Sequence, residues 1–157
     1  LAAQLNRIAR QIPVAMARGR EYLVRVEPHP TNEGLLLRLL GTSFDEPESR
    51  QKLLDELLAR QNPDGGWSNR FDQVGSDAYA TGQTLYALSL LGADIDKKII
   101  DCSVRFLVHQ QQNTGSWQVA AMDVRDGPSN ALLDEIFSYW GTAWATIGLL
   151  NTLPQRN

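Results

Sequence analysis

Apolar residues recur along this chain at intervals of three and four, and that spacing predicts helices along its length. Leu5, Ile8 and Ile12 place a helix over Leu1–Ile12, with Pro13 ending it or opening the next one. The second helix, Val14–Val26, sets Arg18, Arg20, Glu21 and Arg25 on a polar side and Tyr22, Leu23 and Val26 on a buried side. Pro28-His29-Pro30 breaks it. Thr31 and Asn32 are capping residue types ahead of a leucine-rich helix over Glu33–Leu40, which Gly41 closes.

Asp45–Arg60 reads as an amphipathic helix with acidic residues at its start and one stripe of Leu53, Leu54, Leu57 and Leu58. A turn-rich loop over Gln61–Ser76 follows, holding Pro63-Asp64-Gly65-Gly66. Asp77 then caps an uncharged helix, Ala78–Leu91, that Gly92 ends. Asp94–Gln112 is amphipathic again, with Ile100, Val104, Leu107 and Gln111 on one face. Val119–Ser129 is irregular, with Asp126-Gly127-Pro128 as a turn. Ala131–Phe137 reads as one or two helical turns, and Trp140–Leu153 as a final uncharged helix that Pro154 stops.

Charged amphipathic helices thus alternate with nearly charge-free ones. A helix apolar all round must be covered on all sides, whereas an amphipathic one faces water. The alternation predicts two layers, uncharged helices inside and charged ones outside, in an α/α toroid or solenoid. The expected fold is therefore all-α, a partial or half ring of helix pairs forming a single domain over residues 1–157.

A repeat underlies the alternation. Leu57–Trp67, LLARQNPDGGW, returns fifty positions later as Leu107–Trp117, LVHQQQNTGSW, with Gln61, Gly65 and Trp67 matched by Gln111, Gly115 and Trp117. A third lead-in lies upstream in Arg18-Gly19-Arg20-Glu21-Tyr22-Leu23, with Glu27 where glutamine is expected. Ala78-Tyr79-Ala80-Thr81 matches Ala143-Trp144-Ala145-Thr146 at an offset of 65, which predicts fifteen extra residues after Trp117.

Composition narrows the partners. Charged residues make up 21% of 157 and the net charge is −3, which argues against nucleic acid. The uncharged stretches Ala78–Ala93 and Ile136–Pro154 carry Gly, Ser, Thr, Asn and Gln, so they read as buried helices rather than membrane spans. One cysteine, Cys102, excludes an internal disulfide framework. The chain starts at Leu1 with neither an initiator Met nor a signal-type apolar core, which reads as a fragment or a processed product, and no compartment is legible.

The pattern of Arg or Lys, Gly, an aromatic, Leu, Gln and then Gly-x-Trp is the QW repeat, and by it the chain resembles the squalene and terpenoid cyclases and, more distantly, protein prenyltransferase β subunits. Arg105-Phe106-Leu107 through Gln111 to Gly115-Ser116-Trp117 is a close match lacking only the leading Gly; the first copy has Glu56 at the aromatic position. The resemblance implies inner and outer helices around an apolar cavity for an isoprenoid. It also implies a structural role for Gln61, Trp67, Gln111 and Trp117, in which the amide bonds backbone at helix ends and the indole packs on it.

The family's catalytic motifs are not matched. Cyclases that protonate an alkene use the middle Asp of Asp-x-Asp-Asp-Thr-Ala, and here Asp77-Ala78-Tyr79-Ala80-Thr81 puts Tyr79 and Ala80 at the two later acids. A phenol with an ordinary pKa of about 10 is a poor acid for an alkene. Asp101 and Cys102 are adjacent, unlike the Asp-x-Cys of zinc-binding prenyltransferases. Cys102 and His109 lie about 10 Å apart along a helix, too far to share a zinc bound at about 2.1–2.3 Å. No metal or cofactor is implied.

Asp134 and Glu135, with Asp77, are the candidate catalytic acids, placed to approach one rim as carboxylate pairs do in glycoside cleavage. Helix capping or surface solvation is the simpler account of them. Tyr79, Tyr86, Tyr139, Trp140 and Trp144 lie on or beside the uncharged helices, where they line a ligand cavity or pack a core. Three readings remain open: a cyclase-related protein binding an apolar isoprenoid-like molecule, a non-catalytic module for protein or lipid, and a carbohydrate-active toroid. Whether the protein is an enzyme stays open too. An incomplete ring also predicts self-association or further repeats of a longer chain.

Overall fold

The computed structural model describes residues 2–27, 29–42, 46–92, 94–120 and 131–153. Pro28, Asp45, Asp126-Gly127-Pro128 and Pro154, each given a role above, lie outside the described residues. The described chain is all-helical: α1 (Ala2–Arg25), α2 (Asn32–Gly41), α3 (Pro47–Ala59), α4 (Ala78–Leu91), α5 (Lys97–Gln110) and α6 (Ala131–Thr152). Its only β pairing among those residues is two isolated bridges, Thr31 with Arg70 and Trp67 with Asp77.

The charge-poor helices α2, α4 and α6 form the inner row. α4 lies between α2 and α6, and the outer helices α3 and α5 pack on α2 and α4 respectively. All three inner helices run the same way. The first turn of α2 meets the first half of α4 through Asn32 and Glu33, and Gly82 of α4 meets Ala145 and Gly148 of α6. Ten of the fourteen residues of α4 are buried, so the uncharged helix is enclosed, as its composition requires. The core divides around α4 into two clusters, one of α2, α3 and Trp67, the other of α5, α6 and Trp117.

α4 and α6 approach closely because their contact is built of small residues. A Cβ on Gly82 would fall on the backbone of Trp144 and Ala145, and one on Gly148 would come within 2.7 Å of the Gly82 carbonyl oxygen.

Four expectations need correction. α1 is one helix running through Pro13. Proline removes one hydrogen bond, to the Ala9 carbonyl, and Ala9 is exposed, so water can replace it. Tyr22 and Val26 are exposed; only Leu23 is half-buried, where its side chain closes on Gly41. Residues 131–152 form a single helix rather than a short turn and a separate helix, because nothing between Phe137 and Trp140 breaks the backbone. On α5 the buried residues are Ser103, Phe106 and Leu107, while Gln111 is exposed just past the helix end.

The inner position of α6 is half realised. Gly141, Ala145 and Gly148 are buried, whereas Trp140 and Leu150 are 46% and 58% exposed.

Candidate functional site

The two Gln–Trp clasps set the height of the inner helices. Gln61 Nε2 donates to the Gly65 carbonyl at 2.9 Å, and Gln111 Nε2 to the Gly115 carbonyl at 2.9 Å. Gly65 and Gly115 both sit at positive φ, 93° and 85°, which favours glycine. Trp67 and Trp117 are buried, and their indole N–H groups donate to Leu57 and Leu107 carbonyls at 2.8 and 2.7 Å. These carbonyls lie near helix ends, where backbone partners run out.

Each tryptophan then anchors an inner helix through its backbone. Trp67 N donates to Thr81 Oγ1 and Trp117 N to Thr142 Oγ1, both at 3.0 Å. Two residues on, Asn69 N donates to Asp77 Oδ2 at 2.9 Å and Val119 N to Ser138 Oγ at 3.0 Å. Thr142, not Thr146, therefore occupies the place of Thr81, and Ser138 that of Asp77. Twenty-five positions separate Trp117 from Thr142 against fourteen from Trp67 to Thr81, so the insertion is eleven residues, not fifteen. The shared Ala-aromatic-Ala-Thr string misled because it matches sequence one turn away from the bonded threonine.

Asp77 is committed to backbone. Oδ1 accepts from Ala80 N at 2.7 Å and Oδ2 from Asn69 N. Burial pushes its carboxyl above the usual range, and those N–H groups pull it back only in part. Asp134, in the first turn of α6, is half-buried, and Glu135 beside it is exposed. Ser138 holds the level of Asp77, so Asp134 lies one turn further out, about 6 Å along the axis.

Sequence reasoning missed a polar cluster between α2 and α4. Tyr79 Oη donates to Glu33 Oε1 at 3.0 Å, and Gln83 Nε2 reaches the same oxygen at 3.5 Å. Asn32 Nδ2 donates to Thr84 Oγ1 at 2.9 Å. Burial, then the Glu33 carboxylate, pushes the Tyr79 phenol up to about 12. The Gln83 Oε1 and Asn32 Oδ1 acceptors are buried with no protein donor among the described residues. The available signal was polar residues inside an uncharged helix: Thr81, Gln83 and Thr84 stand where a purely packing helix would carry alanine or leucine.

The aromatic candidates separate. Tyr86 and Trp144 meet across α4 and α6, with ring centroids 5.7 Å apart and planes tilted by 54°. Trp140 pairs instead with Phe137 at 5.6 Å, edge to face. Tyr139 is 73% exposed, and Tyr79 is buried beside Glu33. A cavity of about 330 Å³ opens at the other end of the same helices, lined by Leu85, Leu88, Ile95, Ile100 and Thr152. No group of three His, Cys, Asp or Glu able to hold a metal ion occurs among the described residues. None of the described helices is long and apolar enough to cross a membrane.

A family model described as squalene-hopene cyclase C-terminal domain matches residues 11–156. The lanosterol synthase of Candida albicans is 30% identical over 90 residues, which cover 52% of this chain and 12% of that protein. The lanosterol synthase of Saccharomyces cerevisiae is 28% identical over 95 residues, covering 55% of this chain and 13% of that protein. The chain thus spans about an eighth of the length of these curated relatives. No solved structure gives a significant match.

Proposed function

The chain belongs to the squalene-hopene cyclase C-terminal domain family, and from that premise we propose that its inner helices bind an apolar, isoprenoid-like molecule without protonating it. The observation that carries this reading is the pairing of Tyr86 and Trp144 across two inner helices whose only charges are Asp134 and Glu135. Aromatic faces beside apolar helix surfaces suit a hydrocarbon and can stabilise a cation.

Binding without protonation follows from the hydrogen-bond commitments at the segment nearest the family's acid motif. Both oxygens of Asp77 accept backbone N–H groups. Tyr79 donates its O–H hydrogen bond to Glu33 and is a weaker acid than a free phenol. The same commitments favour the second reading, a non-catalytic interaction module, over a carbohydrate-active site drawing on Asp77. The half-exposed α6 adds to it: the chain is a short array of helix-pair repeats that associates with its own copies or with further repeats of a longer chain.

The experiment is solvent extraction of the purified 157-residue chain followed by mass spectrometry, with squalene titrated against tryptophan fluorescence. A co-purifying isoprenoid, and a squalene-dependent emission change lost in Trp144→Ala, are expected, with squalene recovered unaltered. If no apolar molecule co-purifies and squalene leaves the emission unchanged, the binding reading fails. Conversion of squalene would overturn the claim that the segment does not protonate.

A further inference from the structure

α1 and α3 both pack on α2, but among the described residues they do not pack on each other. The gap between them is a cavity of about 430 Å³. Leu23 and Leu53 line it from the two sides, and Gly41 and Thr42 line it at the end of α2. Three cations share the lining, one from each helix: Arg20, Arg38 and Lys52.

None of the three has an ion-pair partner among the described residues. Arg20 and Arg38 are nevertheless half-buried. A cation withdrawn from water without a counter-charge loses hydration and gains nothing in exchange. Arg60, half-buried to a similar degree, is paired with Glu56 at 2.9 Å. Arg20 is also held in place, because its Nε donates to the Gly41 carbonyl at 3.1 Å. That bond leaves its two terminal nitrogens for another acceptor.

Two acids, Glu46 and Glu56, line the same cavity. Glu56 is taken up by Arg60, and Glu46 is exposed at the start of α3. Three positive charges therefore face one uncommitted negative charge, on a chain whose net charge is −3. The local surplus runs against the sign of the whole molecule. A phosphomonoester carries a charge of about −1.5 to −2 at pH 7, which matches that surplus. Guanidinium forks fit its oxygens in pairs, and Ser49 adds a hydroxyl donor. The volume lies within the range of small-molecule pockets, about 300–1,000 Å³, and exceeds what a phosphoryl group alone fills. The two leucines suit a carbon chain in the remainder.

We infer that this cavity binds a phosphomonoester, with its phosphoryl group among Arg20, Arg38 and Lys52 and its carbon chain against Leu23 and Leu53. The site is separate from the apolar ligand proposed above. It lies at the end of α2 away from Asn32 and Glu33, and all its lining residues fall between Arg20 and Glu56. The phosphoryl group belongs either to a soluble ester or to a phospholipid head.

The test is calorimetric titration of the 157-residue chain with hexyl phosphate, inorganic phosphate and hexanol. Hexyl phosphate is expected to bind about tenfold more tightly than inorganic phosphate, and hexanol to give no binding heat. Arg38→Gln and Lys52→Gln are each expected to weaken hexyl phosphate about tenfold. Lys98→Gln, which removes the same charge from an exposed position on α5, should leave it unchanged. Circular dichroism and urea midpoint check that each variant keeps the fold. Vesicles of phosphatidylcholine with and without phosphatidate identify the source. Phosphatidate-dependent binding lost in Arg38→Gln assigns the phosphoryl group to a phospholipid; hexyl phosphate binding without vesicle binding assigns it to a soluble ester. No heat with millimolar hexyl phosphate, or equal weakening by Lys98→Gln and Arg38→Gln, would overturn the site. Inorganic phosphate or hexanol binding as tightly as hexyl phosphate would overturn the ester.

Discussion

At the scale of single residues, the clasp is the most legible feature and the Glu33 contact the least. Gln61, Gly65 and Trp67 lie within seven positions, and their bonds close inside one helix end and its turn. Local spacing is enough to announce such a motif, especially when it occurs twice. Tyr79 and Glu33 are 46 positions apart and meet only because α2 lies beside α4. Tyr79 offers a direct check. Its folded-state pKa of about 12 exceeds the usual 10, so the stability it contributes is complete below pH 10 and lost as pH rises through about 12. Tyr79→Phe is expected to cost about 1.5–3 kcal/mol at pH 7 by removing a hydrogen bond to a carboxylate. It should also flatten the fall in urea midpoint between pH 10 and 12. A variant with the wild-type alkaline slope would place Tyr79 away from Glu33.

At the scale of elements, the helices were legible and their joins were not. Asp77 and Gly92 delimit α4 as the sequence suggests, because a cap and a left-handed glycine act on the nearest turn. Pro13 stops nothing, because whether a lost hydrogen bond matters depends on what surrounds the freed carbonyl. Gly141 and Gly148 do not interrupt α6 either. Their value is the room they leave, for Val119 at the first and for the α4 backbone at the second. The α4–α6 crossing predicts that Gly82→Ala is destabilising although alanine is the better helix former. Its methyl meets backbone, which cannot swing aside, so the helices must part at a cost of about 1–3 kcal/mol or more. A loss of roughly 2–4 °C in Tm per kcal/mol is the expected reading for a domain of this size. An unchanged Tm would mean that the two helices do not approach this closely.

At the scale of the whole molecule, protection follows the layering. α4 is enclosed by α2, α5 and α6, whereas α1 touches only α2 among the described helices and residues 9–19 are exposed. Amide hydrogen exchange is expected to be slowest in the centre of α4, around Thr81–Leu88, and fastest in the first half of α1, because local opening follows burial. Equal protection of α1 and α4 would contradict the layered arrangement. The alternation of charged and uncharged helices, and the recurrence of the clasp, were determined by the sequence alone, since both depend on which residues neighbour one another along a helix. Which threonine each tryptophan anchors, how closely α4 approaches α6, the Glu33–Tyr79 contact and the uncovered side of α6 were decided only in three dimensions. Those features arise between segments tens of residues apart, where the outcome depends on which helix faces are brought together and which are left open.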